Sequence, residues 1–127
     1  MITELDMFNY IKQRYVPDLE KSNQYDSWDC ISSMSRMYLE LKARSSHYED
    51  LLIEKAKYDL LRMTAIRKSY IAWYINATPE GIWAFNLSKL PSPEWVTKEL
   101  PSTTEFADTS KRNKQIGYLR VSDGIKM

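Results

Sequence analysis

The chain has 127 residues, of which 43% are hydrophobic, 13% aromatic and 28% charged, with a formal net charge of +1. That is enough apolar material for one domain to fold without a disulfide or a metal, and it excludes global disorder. Three glycines, where about nine would be usual at this length, argue against phosphate-cradling loops, and the lone Cys30 excludes an internal disulfide or a cysteine-based zinc site.

In chain order, Thr3 followed by Glu4 and Asp6 reads as a helix N-cap with acids in the first turn. Leu5, Phe8, Ile11 and Tyr15 recur at helical spacing, and Pro17 stops the helix near Tyr15. The stretch PDLEKSNQYD is a polar linker. A second helix is expected from Asp26 or Ser27, with Trp28, Ile31, Met34, Tyr38 and Leu41 as its apolar stripe. Glu40, Lys42 and Arg44 fall off that stripe.

The third segment carries the strongest helical pattern. Ser46 and Glu49 form a capping-box signature, and neither glycine nor proline occurs from there to Asn76. A continuous helix of about 30 residues, roughly 45 Å long, is predicted. Leu52, Ala56, Met63, Ile66, Tyr70 and Trp73 lie near one line, interrupted by Asp59, which is expected to pair with Lys55 or Arg62. The end of this segment, YIAWYI (70–75), is apolar all round, so the rest of the chain should wrap it.

Thr78-Pro79 closes the helix. IWAFNL (82–87) leans toward a strand, Ser92-Pro93-Glu94 opens a short helix ending at Leu100, and QIGYLRV (115–121) reads as a strand that can pair with 82–87 in a small ribbon. Residues 102–114 read as a mobile polar loop anchored by Phe106. The predicted fold is therefore mainly α, a single domain over 1–127: two shorter helices on one long helix (46–76), then an irregular C-terminal wrap.

The run IGYLRVSDG (116–124) resembles the first strand of the serine recombinase catalytic domain, where a Tyr-x-Arg-Val-Ser stretch presents the nucleophile. That resemblance implies Ser122 as nucleophile and Arg120 as its activating neighbour. In that family the motif opens the domain, whereas here five residues follow Ser122. The only histidine, His47, has no spacing link to Ser122, and a serine hydroxyl needs an activating base. Ser122 is therefore read as the end of a strand entering a Ser-Asp-Gly turn. His47, Glu49 and Asp50 are too few for a metal site and suit a helix N-terminus instead. No catalytic residue, metal or cofactor is assigned.

Nine tyrosines, four tryptophans and six methionines favour an interface. Phe8, Tyr15, Tyr74, Trp83 and Phe85 are the candidate protein contacts. The reading favoured is a non-enzymatic adaptor, assembly subunit or inhibitor of the kind phages and mobile elements encode, docking on another protein or on itself. The alternative is a nucleic-acid-binding accessory protein. Residues 62–127 hold ten Lys/Arg against six Asp/Glu, and Arg62, Arg67, Lys68, Lys111, Arg112 and Lys114 are its candidate contacts. An enzyme of unrecognised type is the second alternative. No run approaches the about 18 apolar residues of a membrane span, and the expected setting is cytoplasmic.

Overall fold

The computed structural model describes residues 2–22, 28–101 and 111–127, with the backbone alone at 101 and 111. It is a mixed α/β structure. The first helix forms where expected: α1 (Glu4–Arg14) opens with a capping box in which Thr3 and Asp6 exchange hydrogen bonds at 2.9 and 3.1 Å. Those bonds hold the Asp6 carboxyl below its usual range. Met7 and Ile11 face inward.

The next segment is a hairpin, not a helix. After the short β1 (Glu20–Lys21), β2 (Asp29–Ser32) pairs antiparallel with β3 (Met37–Ala43). Its turn places Arg36 at φ 54, and Asp18 braces it by accepting from Ser32 Oγ at 2.6 Å and Met34 N at 3.0 Å. The run Leu39-Glu40-Leu41-Lys42-Ala43 alternates strictly, which is the period of a strand. The expected start of the helix at 26–27 lies outside the described residues.

The long helix predicted over 46–76 is three elements. β4 (Asp50–Glu54) leads directly into α2 (Lys55–Lys68), and β5 (Ile71–Thr78) follows. Ser69, at φ 58 in the left-handed region, ends the helix without a glycine, and its N–H and that of Tyr70 return to Ala65 and Ile66 carbonyls. Most of the apolar run 70–75 enters the central strand β5, which is buried from Tyr74 onward, and a strand covered on both faces produces the same continuous hydrophobicity as a buried helix. Asp59 pairs with Lys55 at 2.6 Å, as expected.

β5 runs parallel to β3 and turns into β6 (Gly81–Asn86). Gly81 sits at φ +149, where a Cβ would lie 3.0 Å from Lys126 Cε. The short helix expected after Pro93 is instead β7 (Val96–Pro101), paired with β8 (Lys111–Arg120). Gly117 on β8 lets Pro93 and Trp95 cross closely, since a Cβ there would be 2.6 Å from Pro93 Cβ. The strands at 82–87 and 115–121 both exist but do not pair. β6 lies between β5 and β9 (Ile125–Lys126), and β8 between β4 and β7. The expected loop at 102–110, Phe106 included, lies outside the described residues.

Two sheets result, ordered β1-β2-β3-β5-β6-β9 and β4-β8-β7. One face of the larger sheet packs on α1 through Leu39, Leu41, Ile75, Ala77, Ile82 and Ala84. Its other face packs on α2 and the smaller sheet through Tyr74, Phe85, Tyr58, Leu61, Leu51 and Leu119. The mainly helical fold expected from the sequence is thus corrected: α1 and α2 are the α-helices of the described residues. Neither is long and apolar enough to cross a membrane.

Candidate active site

The β2–β3 register sets Asp29 directly opposite Glu40. The alternation that sends Cys30, Leu39 and Leu41 toward α1 turns both carboxylates to the opposite face, beneath the start of α2. They hydrogen-bond to each other, and Asp29 Oδ1 is buried without a partner among the described residues. Burial, then the hydrogen bond and charge of Glu40, push the Asp29 pKa up to about 7 against the pull of Lys57. Two acids side by side cannot both ionise cheaply, so the pair keeps a proton to higher pH than an isolated carboxyl would.

Lys57, in the first turns of α2, reaches across to Glu40 Oε1 at 2.6 Å. Burial acts to lower its pKa, but the hydrogen bond and charge of Glu40, with Asp29 and Glu54 beyond, outweigh that and hold the ammonium above its ordinary value. Lys42 and Arg44 follow Glu40 on the same face of β3, both half-buried. Lys42 makes no hydrogen bond or ion pair among the described residues. Beside the start of α2, Glu54, Lys55, Asp59, Arg112, Asn113 and Lys114 line an open cleft of about 510 Å³, with Lys114 on Glu54 at 2.9 Å.

The interface candidates separate. Tyr74, Trp83 and Phe85 are core residues on β5 and β6, Phe85 at 0% exposure, and are not available to a partner. Phe8 is half-buried against Trp28, and Tyr15 is exposed at the end of α1. The six basic candidates do not meet either. Arg62 is spent inside the fold, donating to Tyr58 Oη at 3.2 Å and the Leu87 carbonyl at 3.1 Å. Arg67 and Lys68 end α2, roughly 20 Å along the helix from its start. Arg112 and Lys114 lie by that start, on the cleft, and Lys111 begins the same strand.

His47 hydrogen-bonds Thr78 Oγ1 at 2.8 Å and rests on the Trp83 ring, in no helix. Ser122 is exposed in a 3-10 turn, Val121–Asp123, after β8, in keeping with its structural reading.

Asp29, Glu40, Lys42 and Lys57 were not singled out as site residues by the sequence reading. The available signal was an acid in a four-residue strand, then Glu-Leu-Lys inside an alternating run, with the glutamate eleven residues on. It becomes visible only once 29–43 is a hairpin.

Among the described residues no group of three or more His, Cys, Asp or Glu side chains could hold a metal unaided. Two carboxylates, one with an unpartnered buried oxygen, do fit a hard divalent cation such as Mg²⁺. That ion takes one or two protein carboxylates and completes its shell with water and phosphate oxygens.

No family model matches the chain, and no curated protein matches it in sequence. A solved structure is similar in fold: Hjc, a Holliday junction resolvase from the archaeal hyperthermophile Archaeoglobus fulgidus. The TM-score is 0.60 at 15% identity, over 98% of this chain and 88% of that one. This fold is not that of a helical accessory module. The expectations of a non-enzymatic adaptor, assembly subunit or inhibitor, and of no enzyme activity, drew on aromatic and methionine content and on the lack of a recognised catalytic constellation; the likeness of fold to a resolvase overturns them.

Proposed function

We propose that the protein is a nuclease that hydrolyses phosphodiester bonds in nucleic acid with a divalent cation at Asp29 and Glu40. The observation that carries this reading is the opposed carboxylate pair with two lysines on the same site. Structural ion pairs set opposite charges against each other. Here two acids also face each other across a strand pair, and the Lys57 ammonium bonds to Glu40 while Asp29 Oδ1 has no partner among the described residues, an arrangement that a further cation would relieve. The fold likeness to a Holliday junction resolvase makes DNA the substrate class to test first.

When bound, the cation supplies Lewis-acid charge for a phosphoryl oxygen and for the attacking water. In the reaction, water attacks phosphorus, the bridging P–O bond breaks, and the leaving oxygen takes up a proton. Asp29 and Glu40 hold the cation. Lys42, without an ion pair among the described residues and two residues from Glu40, presents its ammonium to the charge that develops on the phosphate. Lys57 neutralises Glu40 when no substrate is bound. Arg112 and Lys114 on the cleft contact the backbone of the nucleic acid.

The test is cleavage of labelled single-stranded, duplex and four-way-junction DNA, and of RNA, with Mg²⁺ or Mn²⁺ and with EDTA. Metal-dependent cleavage by the wild type is expected. Asp29→Asn and Glu40→Gln should each reduce it at least about a hundredfold. Absence of cleavage on every substrate, or full activity of Glu40→Gln, would overturn the reading.

A further inference from the structure

We infer that Arg44 and Asn76 form a second anion subsite beside the carboxylate pair, which holds the phosphate adjacent to the one being cleaved. The inference rests on the nuclease reading above.

Arg44 lies two residues beyond Lys42, one past the end of β3, where its N–H still bonds to the Ala77 carbonyl at 2.8 Å and the chain has run about 7 Å farther in the strand direction. Its guanidinium is fixed by its neighbours. Nε donates to Asn76 Oδ1 at 2.7 Å, and Nη2 donates to the Leu52 carbonyl and, at 3.3 Å, to Tyr74 Oη. Nη1 has no acceptor among the described residues. Asn76, opposite Lys42 on β5, is 0% exposed. Its Oδ1 must face Arg44 Nε, which fixes the amide orientation, and its Nδ2 is left buried with no partner among the described residues.

A brace between the two sheets accounts for Nε and Nη2 of Arg44. It does not account for the rest. Lys42 and Arg44 are neighbouring half-buried cations, and neither has a carboxylate within ion-pair distance among the described residues. The acids of this face are engaged elsewhere or held back: Glu40 by Lys57, Asp29 by its hydrogen bond to Glu40, which raises its pKa, and Glu54 by Lys114. Burying charge without a counter-charge is unfavourable, and a buried amide N–H₂ without an acceptor adds to that. A phosphate oxygen supplies both the missing charge and the missing acceptor. A guanidinium held in place before binding loses little freedom when the phosphate arrives, which suits a positioning residue.

The experiment uses oligonucleotides in which single phosphodiesters are replaced by neutral methylphosphonates. Wild-type cleavage maps the scissile linkage. Binding is then measured with Glu40→Gln, which removes turnover. One linkage next to the scissile one should weaken binding about tenfold or more when neutralised. With Arg44→Met added, that penalty should vanish while penalties at other linkages remain. Arg44→Met also removes the brace to Leu52, so its thermal melt is recorded. If it does not fold, Arg44→Lys decides, since a point charge without the fork should show a reduced penalty at that linkage alone. A wild-type profile with no sensitive neighbour, or a penalty unchanged in the Arg44 variants, overturns the inference while cleavage survives. Absence of any cleavage overturns the nuclease reading and the inference with it.

Discussion

The two faces of the larger sheet differ sharply, although the same strands make both. On β3, Leu39, Leu41 and Ala43 turn toward α1, and Glu40, Lys42 and Arg44 turn the other way. The α1 face is filled by aliphatic side chains that lock Met7 and Ile11 in place, with Cys30 among them. The opposite face is apolar under the body of α2 but carries a polar row toward the end of β3: Asp29 and Glu40, then Lys42 and Asn76, then Arg44 and Thr78. One face supplies burial. The other gives up part of that stability to an acid pair and two cations that have no ion pair among the described residues. A seven-residue strand can serve both because its side chains alternate.

The largest expected effect breaks the polar face and leaves the fold alone. Glu40→Gln and Asp29→Asn should lose activity by at least about a hundredfold with an unfolding midpoint equal to or above that of the wild type. Relief of acid–acid opposition compensates the lost contact. Activity and a urea titration on the same preparations check it. A variant that is inactive because it is unfolded would mean that the pair is structural.

The converse variant lies one residue away. Leu39 is 1% exposed against α1. Leu39→Ala should cost about 2–5 kcal/mol through lost burial and a residual cavity, and leave cleavage per folded molecule unchanged. If activity of the folded fraction fell in step with stability, the two faces would not be separable.

The same alternation explains what the sequence disclosed. α1 was legible because its signals are local: Thr3 as N-cap with acids in the first turn, Ile11 at helical spacing, and Pro17; the buried face itself was only half read, since Leu5 and Tyr15 of the expected stripe are exposed and Met7 takes the inward place. The strands at 82–87 and 115–121 were legible from their β-branched and aromatic content. The stretch 26–44 misled because Ile31, Met34, Tyr38 and Leu41 match a helical period over a span that includes a tight turn. Over 46–76, the absence of glycine and proline hid two boundaries. One is β4 passing straight into α2, where Glu54 caps the helix without a side-chain bond. The other is Ser69, which adopts a left-handed conformation usually left to glycine. The site was lost with the period. On a helix, Asp29 and Glu40 are eleven residues and three turns apart; in a hairpin they are opposite neighbours.

The smallest effect is expected from pH, and its sign follows from the acid pair. The Asp29 carboxyl has an ordinary value of 3.8 and is pushed up to about 7 in the fold. Between those values the native state keeps a proton that the unfolded chain has released. Stability from this group is therefore fully present below about pH 4 and is lost as pH rises through 7. Asn at position 29 keeps an N–H to offer Glu40 at every pH, much as the protonated acid does. The melting temperature of Asp29→Asn minus that of the wild type should therefore grow from pH 5 to pH 8 and then level off. Mg²⁺ should oppose the trend, because it binds the ionised pair: it should raise the wild-type melting temperature more at pH 8 than at pH 5.5, and do little for Asp29→Asn. A difference between the two proteins that stays flat across this range would show that Asp29 and Glu40 share no proton. The polar face would then differ from the α1 face in composition without holding any electrostatic stress for a cation to relieve.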